Sequence, residues 1–393
     1  MPKSYKYHIL SIFLGIIIIT ILYLVALGTI SDSKNLPPET LYQTLVLEVD
    51  KNLGRGLDVF NNEINDRPMA YGLILSSYAR EYSSSNKIKR MQKLTKCGEW
   101  LLENHDLDDD GISGYGLADS WDAFGDGSIN PAHQEYTITT AIVIDGLLDW
   151  LEWDANAPKS EIITRIDDLL VPYLSGEFNS PSGLYSYSLN HNDVPFDVFN
   201  PAAYLAGQIQ RFSHVKSDNQ KEKEILQNEA DRIISILLKF KRETEDGVWY
   251  WGYTADSKKH NDLVHSLYIV EGMRQYIKYD GKLKHEIKFT NVKNIVRNFF
   301  IDGHFREVYY KRSVQKDPVR LWALGMLLYF LAEEPMSPVY TESLLKDLNK
   351  YNLPDGGFSW KPGTQNKYIR HDAHLLLGLS HYLFKSTDGS FPQ

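Results

Sequence analysis

Cysteine is almost missing from this sequence: Cys97 is the only one in 393 residues. No internal disulfide can form, and its place in an amphipathic stretch marks a buried, inert thiol rather than a nucleophile. Long basic runs are also missing and the net charge is −9, so the electrostatic footprint of a nucleic-acid binder is lacking. No H-E-x-x-H or similar spacing occurs, which argues against a metal centre built on histidine. A strict sequence repeat is lacking too, so any repeat has to be sought in the pattern.

What is present is a globular composition, 43% apolar and 24% charged, sufficient for a large core. Aromatic residues reach 12%, with 25 Tyr and 8 Trp, a surplus that suits either core filling or flat surfaces for a ligand. Near the N-terminus, Lys3 and Lys6 precede an uncharged apolar run from Ile9 to Leu27. It is long enough to cross a bilayer and longer than the usual core of a signal peptide. With positive charge ahead of it, the remainder is expected outside the cytoplasm, on a retained single-pass signal anchor. Cleavage near Val25-Ala26-Leu27-Gly28 is the alternative. The expected organisation is a cytoplasmic tail (1–8), a transmembrane anchor (9–27), a linker (28–38), a helical domain (39–385) and a short tail (386–393).

Helical periodicity supplies the repeat. Six segments begin at a polar or proline-containing cluster and continue as strongly apolar helices: Arg67-Pro68 to Tyr82, His133 to Glu152, Asn200-Pro201 to Phe212, Asp262 to Tyr279, Asp317-Pro318 to Glu333, and His371-Asp372 to Phe384. A more charged, amphipathic helix precedes each, roughly Glu39 to Leu53, Asn86 to Asn104, Ser160 to Ser175, Asn219 to Glu243, Asn291 to Phe300, and Thr341 to Tyr351. The amphipathic helices suit an outer ring and the apolar ones an inner ring. Connections from inner to outer helices are short and those from outer to inner are long. Long ordered loops inside compact domains tend to be functional, and here they gather at one end with the inner-helix starts.

In this architecture the chain resembles the six-hairpin superfamily, the (α/α)6 toroids of glycoside hydrolases, polysaccharide lyases and uronyl epimerases, from about Glu39 to Phe384. The resemblance implies an all-α toroid with a deep cleft at the long-loop end, and it singles out no one family. Terpenoid-cyclase-like toroids share the hairpin logic, but the polar, acidic loops do not suit an apolar cavity.

The long loops carry a Gly-aromatic theme: Gly114-Tyr115-Gly116, Gly183-Leu184-Tyr185-Ser186-Tyr187, Gly247-Val248-Trp249-Tyr250-Trp251, Gly303-His304-Phe305 and Gly356-Gly357-Phe358-Ser359-Trp360. Alternation after a glycine turn predicts short β-hairpins. Their rings would stack on sugars or simply cover the barrel end. The sharpest local motif is Asp106-x-Asp108-x-Asp110-Gly111, the opening of a calcium loop, with Ile112 at the position that offers its backbone carbonyl. The carboxylate expected at position twelve is replaced by Leu117, leaving Asp119, Asp122 or water to close the shell. A solvated acidic turn is the competing explanation.

Asp122 and Glu135, beside Trp121 and Tyr136, are the leading carboxylates for glycosidic cleavage, which needs one acid and one base or nucleophile. Across the mouth, His265 and His371 are proton-handling candidates, while Trp121, Tyr136, Asn200, Tyr204, Trp249, Trp251, Arg320, Trp360 and Arg370 are substrate-binding candidates. Asp262 and His265 share a helix face, as do His371 and His374, although Asp262, Asp317 and Asp372 also suit N-capping. Converging His and Arg favour an anionic sugar, gripped through Arg320 or Arg370. The expected function is cleavage of an acidic polysaccharide by an anchored glycoside hydrolase with a structural calcium. A lyase or C5-epimerase is the alternative within enzymes, and a non-catalytic polysaccharide-binding subunit is the alternative outside them.

Overall fold

The computed structural model describes residues 35–52, 56–57, 64–65, 67–85, 88–216, 218–257, 261–308, 318–354 and 356–384. The expected anchor at 9–27, its flanking lysines and the tail at 386–393 lie outside them. Among the described residues, no helix is long and apolar enough to cross a membrane.

From Pro38 onward, helices alternate between two roles. The outer set is α1 (Pro38–Asn52), α3 (Ile88–Glu103), α5 (Lys159–Ser175), α7 (Gln220–Phe240), the short pair α9 (Phe289–Lys293) and α10 (Ile295–Asn298), and α12 (Pro338–Leu348). The inner set is α2 (Pro68–Ser85), α4 (Thr137–Trp153), α6 (Phe199–Val215), α8 (Leu263–Lys278), α11 (Leu321–Glu333) and α13 (Ile369–Leu383). Burial separates the two. In α4 every residue from Thr137 to Leu148 is buried, whereas α7 buries only Leu226, Ala230, Ile233, Ile234, Ile236 and Leu237, one stripe at helical spacing.

Each inner helix packs on the next: α2 on α4, α4 on α6, α6 on α8, α8 on α11, α11 on α13, with α13 returning to α2. The ring is closed. Each inner helix carries one glycine in its span, and these meet in pairs: a Cβ on Gly146 would strike the Gly72 carbonyl, on Gly207 that of Gly272, and on Gly378 that of Gly325. Three of the six inner interfaces therefore need backbones closer than any side chain allows.

The long connections run from outer to inner helices and fold as short antiparallel hairpins: β1–β2 (Gly56–Leu57, Ile64–Asn65), β3–β4 (Trp121–Asp122, Ile129–Asn130), β5–β6 (Arg242–Glu243, Trp249–Tyr250) and β7–β8 (Phe300–Ile301, His304–Phe305). They also bind the ring together. The first N–H of α4, Thr137, donates to the Tyr187 carbonyl, that of α6, Phe199, to Tyr253, that of α8, Leu263, to Glu307, and that of α11, Leu321, to Trp360. Orphan donors at four helix starts are thus satisfied by the following hairpin's loop, which holds that loop over the ring's end.

Two segments differ from the pattern expected of the sequence. His133–Tyr136 does not open α4: His133 takes a left-handed φ of 68°, Glu135 forms an antiparallel bridge with Gly116, and the helix begins at Thr137. A Cβ on Gly116 would collide with the Gln134 carbonyl, so glycine permits the strand-like approach that displaces the helix start. The fifth outer helix breaks into α9 and α10 at Asn294, a weak helix former.

Candidate active site at the inner-helix starts

The most reactive constellation lies at the starts of α8, α11 and α13. Asp262 caps α8, accepting the His265 backbone N–H at 3.0 Å. The same carboxylate oxygen lies 2.7 Å from His265 Nδ1, and its other oxygen accepts from Arg320 Nη2 at 2.9 Å. Burial would raise Asp262, but His265 and Arg320 hold it down at about 2. Asp262 therefore stays ionised and accepts the Nδ1–H of His265, which leaves Nε2 as the nitrogen that can take or give a proton. Among the described residues nothing in the protein bonds that Nε2.

Arg320, the N-cap residue of α11, is held by a second carboxylate. Glu307 accepts its backbone N–H at 2.8 Å and its Nε at 2.5 Å. Burial raises Glu307 and the Arg320 charge opposes it. Both carboxylates are therefore spent on orienting Arg320 and His265.

Trp322 is the common neighbour. Arg320 lies 4.6 Å and Arg370 5.2 Å over its ring, within cation–π range. His371 stacks on it at 5.1 Å and 5°, while His374 and His265 lie at 6.0 and 6.2 Å. Burial lowers His371 well below the usual range and His374 to about 4, so both are neutral. His374 Nδ1 lies 2.6 Å from the Arg370 carbonyl, which can only accept. The Nδ1 proton is thereby placed, and Nε2 receives the Tyr268 hydroxyl at 2.7 Å. Tyr253 packs edge-on to His265 at 5.2 Å, and Tyr187 meets Phe124 and Tyr136 at 5.5 and 5.4 Å.

Of the residues singled out in the sequence, His265, His371, Arg320 and Arg370 converge here. Trp360 joins them, its ring 6.2 Å from His371. Asn200 and Tyr204 are buried deeper along the ring, with Tyr204 edge-on to Tyr268 at 5.6 Å and its hydroxyl bonded to Asp145. Trp249 and Trp251 lie inside the wall. Lys241 covers Trp249 at 4.6 Å, and Trp251 donates to the Leu237 carbonyl at 2.9 Å, so neither ring faces the mouth. Trp121 is 39% exposed on β3.

Asp122 and Glu135 do not meet this constellation. Asp122 accepts the Gly125 and Gly127 N–H groups at 2.6 and 3.0 Å, closing its own turn. Glu135 is fully buried and joins Asp106, Asp108 and Asp110, with one oxygen from each of the four within 4.8 Å of the others. Burial first, then the charges of Asp108 and Asp110, push Glu135 up to about 8. Ile112 donates its N–H to Asp110 at 2.7 Å. Tyr136, buried beside them, reaches the mouth only through Tyr187.

Sequence reasoning missed Trp322, Tyr253, Tyr187 and Glu307 as site residues. Trp322 had a signal, being the only tryptophan in the first turn of an inner helix. The other three carry the carbonyls that receive inner-helix N–H groups, a tertiary pairing invisible in the sequence.

Neither a protein-family model nor a curated protein matches the chain. Solved structures do match. An α-mannanase of family GH76 from Bacteroides thetaiotaomicron is 13% identical with a TM-score of 0.56, over 87% of this chain and 95% of that one. A sugar epimerase from a ruminal bacterium is 13% identical with a TM-score of 0.60, over 87% and 98%. An unsaturated glucuronyl hydrolase specific for heparin is 11% identical with a TM-score of 0.56, over 88% and 97%. At such identities the likeness concerns fold. The fold that this chain shares with them is the (α/α)6 toroid.

Proposed function

We propose that the chain is a carbohydrate-active enzyme that works by proton transfer, as a polysaccharide lyase or uronyl C5-epimerase, with His265 as the base. The observation that carries this reading is the Asp262–His265 pair at 2.7 Å, which leaves Nε2 without a partner among the described residues, beside Trp322. A sugar face would stack on aromatic rings at the mouth, and Arg370 is the group assigned to a uronate carboxylate. His265 takes the proton from the carbon next to that carboxylate. In a lyase the freed electron pair forms a C=C bond, the neighbouring C–O bond breaks, and the leaving oxygen is protonated. In an epimerase a proton returns to the opposite face. Tyr253, kept protonated by its burial, stands beside His265 as the donor.

Sugar chemistry is the common thread of the neighbours, whose names describe an α-mannanase, a sugar epimerase and a glucuronyl hydrolase. Glycoside hydrolysis, favoured by the sequence, needs two carboxylates with oxygens available to a substrate. Asp122, Glu135, Asp262 and Glu307 are each engaged elsewhere. The apolar run from Ile9 to Leu27 behind Lys3 and Lys6 supports tethering to a membrane with the toroid outside the cytoplasm, where surface polysaccharide is encountered.

The test is a panel of acidic polysaccharides incubated in D2O. A near-ultraviolet chromophore marks elimination, and deuterium in intact polymer marks epimerisation. His265→Ala should lower kcat by about 10²–10⁴-fold. New reducing ends with neither signal would sink the proton-transfer reading in favour of hydrolysis. Binding without turnover would leave a carbohydrate-binding protein.

A further inference from the structure

The carboxylate cluster outside the mouth carries a second inference. Asp106, Asp108 and Asp110 alternate along the loop after α3, and Glu135 enters from the segment before α4 to bring one oxygen within 4.8 Å of each of theirs. No Lys, Arg or His pairs with any of the four among the described residues. Ionised together without a counter-charge, the four carboxyl groups repel one another, and a buried charge without a partner is costly.

The second observation concerns Glu135 itself. It is 0% exposed, Gln134 Nε2 satisfies its Oε2 at 2.8 Å, and its Oε1 receives no hydrogen bond. Asp108 Oδ1 is likewise buried without a donor. Two buried acceptors aimed at one place by converging segments call for a cation. The loop is built to press against this glutamate: a Cβ on Gly114 would strike the Glu135 side chain.

We infer that these four carboxylates bind a divalent calcium ion, with Glu135, 29 residues after Asp106, supplying the acidic ligand that a local calcium loop takes from its own end. An all-oxygen, carboxylate-rich set suits a hard cation of high coordination number, and it lacks the nitrogen and sulfur ligands of zinc. The backbone carbonyl of Ile112 stands at the position that completes such loops. The ion would clasp the longest loop of the toroid to the start of α4. Gln134 passes the restraint to Asn190 at 3.1 Å, and Tyr136 passes it to Tyr187 at 5.4 Å. Its role is to position the mouth, and the inference does not depend on the reaction proposed above.

The test uses the full-length chain in mild detergent, stripped with chelator and titrated calorimetrically with CaCl2 and with MgCl2. The expected result is one calcium per chain, a melting temperature that rises with calcium, and Tyr-sensitised luminescence when Tb³⁺ replaces it. Asp108→Asn and Glu135→Gln should each weaken calcium at least about tenfold. Unchanged calcium affinity in Glu135→Gln, with loss in Asp108→Asn, would overturn the role of Glu135. Should either variant fail to fold, the wild type decides. No calcium heat, no shift in melting and no terbium signal would overturn the site altogether.

Discussion

The toroid holds two clusters of arginine and acid, one at the starts of the inner helices and one along their C-terminal halves. In the second, Arg211 binds Asp145, Asp149 and Glu152 at 2.9, 2.7 and 2.6 Å. Glu271 receives two bonds from Arg274 and one from Tyr329, and Glu333 holds His381 at 2.8 Å. Every formal charge named there has a partner; Arg211, Arg274 and Glu271 are buried, while Glu152 and Glu333 are partly exposed. At the mouth, Arg320 is matched by Asp262 and Glu307, and His265, like His381 in the other cluster, keeps one nitrogen without a partner among the described residues; the His265 side chain is 20% exposed and that of His381 9%. The same residue types build both clusters. What distinguishes a scaffold from a site is unused bonding capacity that faces solvent.

The largest effect should come from breaking the closed cluster. Burial and the charge of Asp149 push Asp145 up to about 7, with Arg211 restraining the rise. Arg211→Met would leave two buried carboxylates without their cation and cost about 3–5 kcal/mol, read as a lower denaturant midpoint. Activity per folded molecule should persist. His265→Ala should show the reverse, with a large loss of kcat and little change in midpoint. If Arg211→Met abolishes turnover at full stability, the division between scaffold and site fails.

A smaller effect separates the two clusters by pH. Burial lowers His374 from 6.5 to about 4, so between those values the unfolded chain binds a proton that the native state refuses. Stability from this residue is therefore intact above pH 6.5 and lost as pH falls toward 4. The native state should lose about 1.4 kcal/mol per pH unit in that window relative to His374→Gln. Denaturant midpoints of both proteins at pH 7 and pH 5 measure it. A difference that does not change with pH would mean that His374 takes up its proton at the same pH in the fold as in the unfolded chain.

The ring was legible in the sequence because burial imposes a 3.6-residue period that apolar residues must obey, and the long loops fixed which end carries the site. The convergence of His265, Arg320, Arg370 and His371 was legible from their place at helix starts. The rest needed tertiary partners. A Gly-aromatic loop does not say which ring faces inward, so Trp249 and Trp251 looked like rim residues while filling the wall. The apolar run Leu321–Glu333 disguised Trp322 as core. Glu135 looked catalytic because its three acidic neighbours stand 25 to 29 residues earlier, at the far end of the same connection, and the signal for its setting, Gly114 and Gly116 yielding space to residues 133–135, is spatial. One glycine per inner helix was readable and was overlooked.

The smallest effect is expected at Asp122, and it bears most directly on the reaction. Its carboxylate accepts two backbone N–H groups, from Gly125 and Gly127, in a turn where asparagine is equally at home. Asp122→Asn keeps the oxygen for one of these N–H groups and sets an amide donor against the other in a turn at the surface, so stability should fall by about 1 kcal/mol with kcat unchanged. A general acid or base lost at the same position would instead cost about two orders of magnitude or more in kcat. The two outcomes do not overlap. An intact Asp122→Asn alongside an inactive His265→Ala places the chemistry at the starts of α8, α11 and α13. A dead Asp122→Asn with normal melting would mean that the loop moves in the substrate complex to deliver this carboxylate, and it would restore hydrolysis over proton transfer.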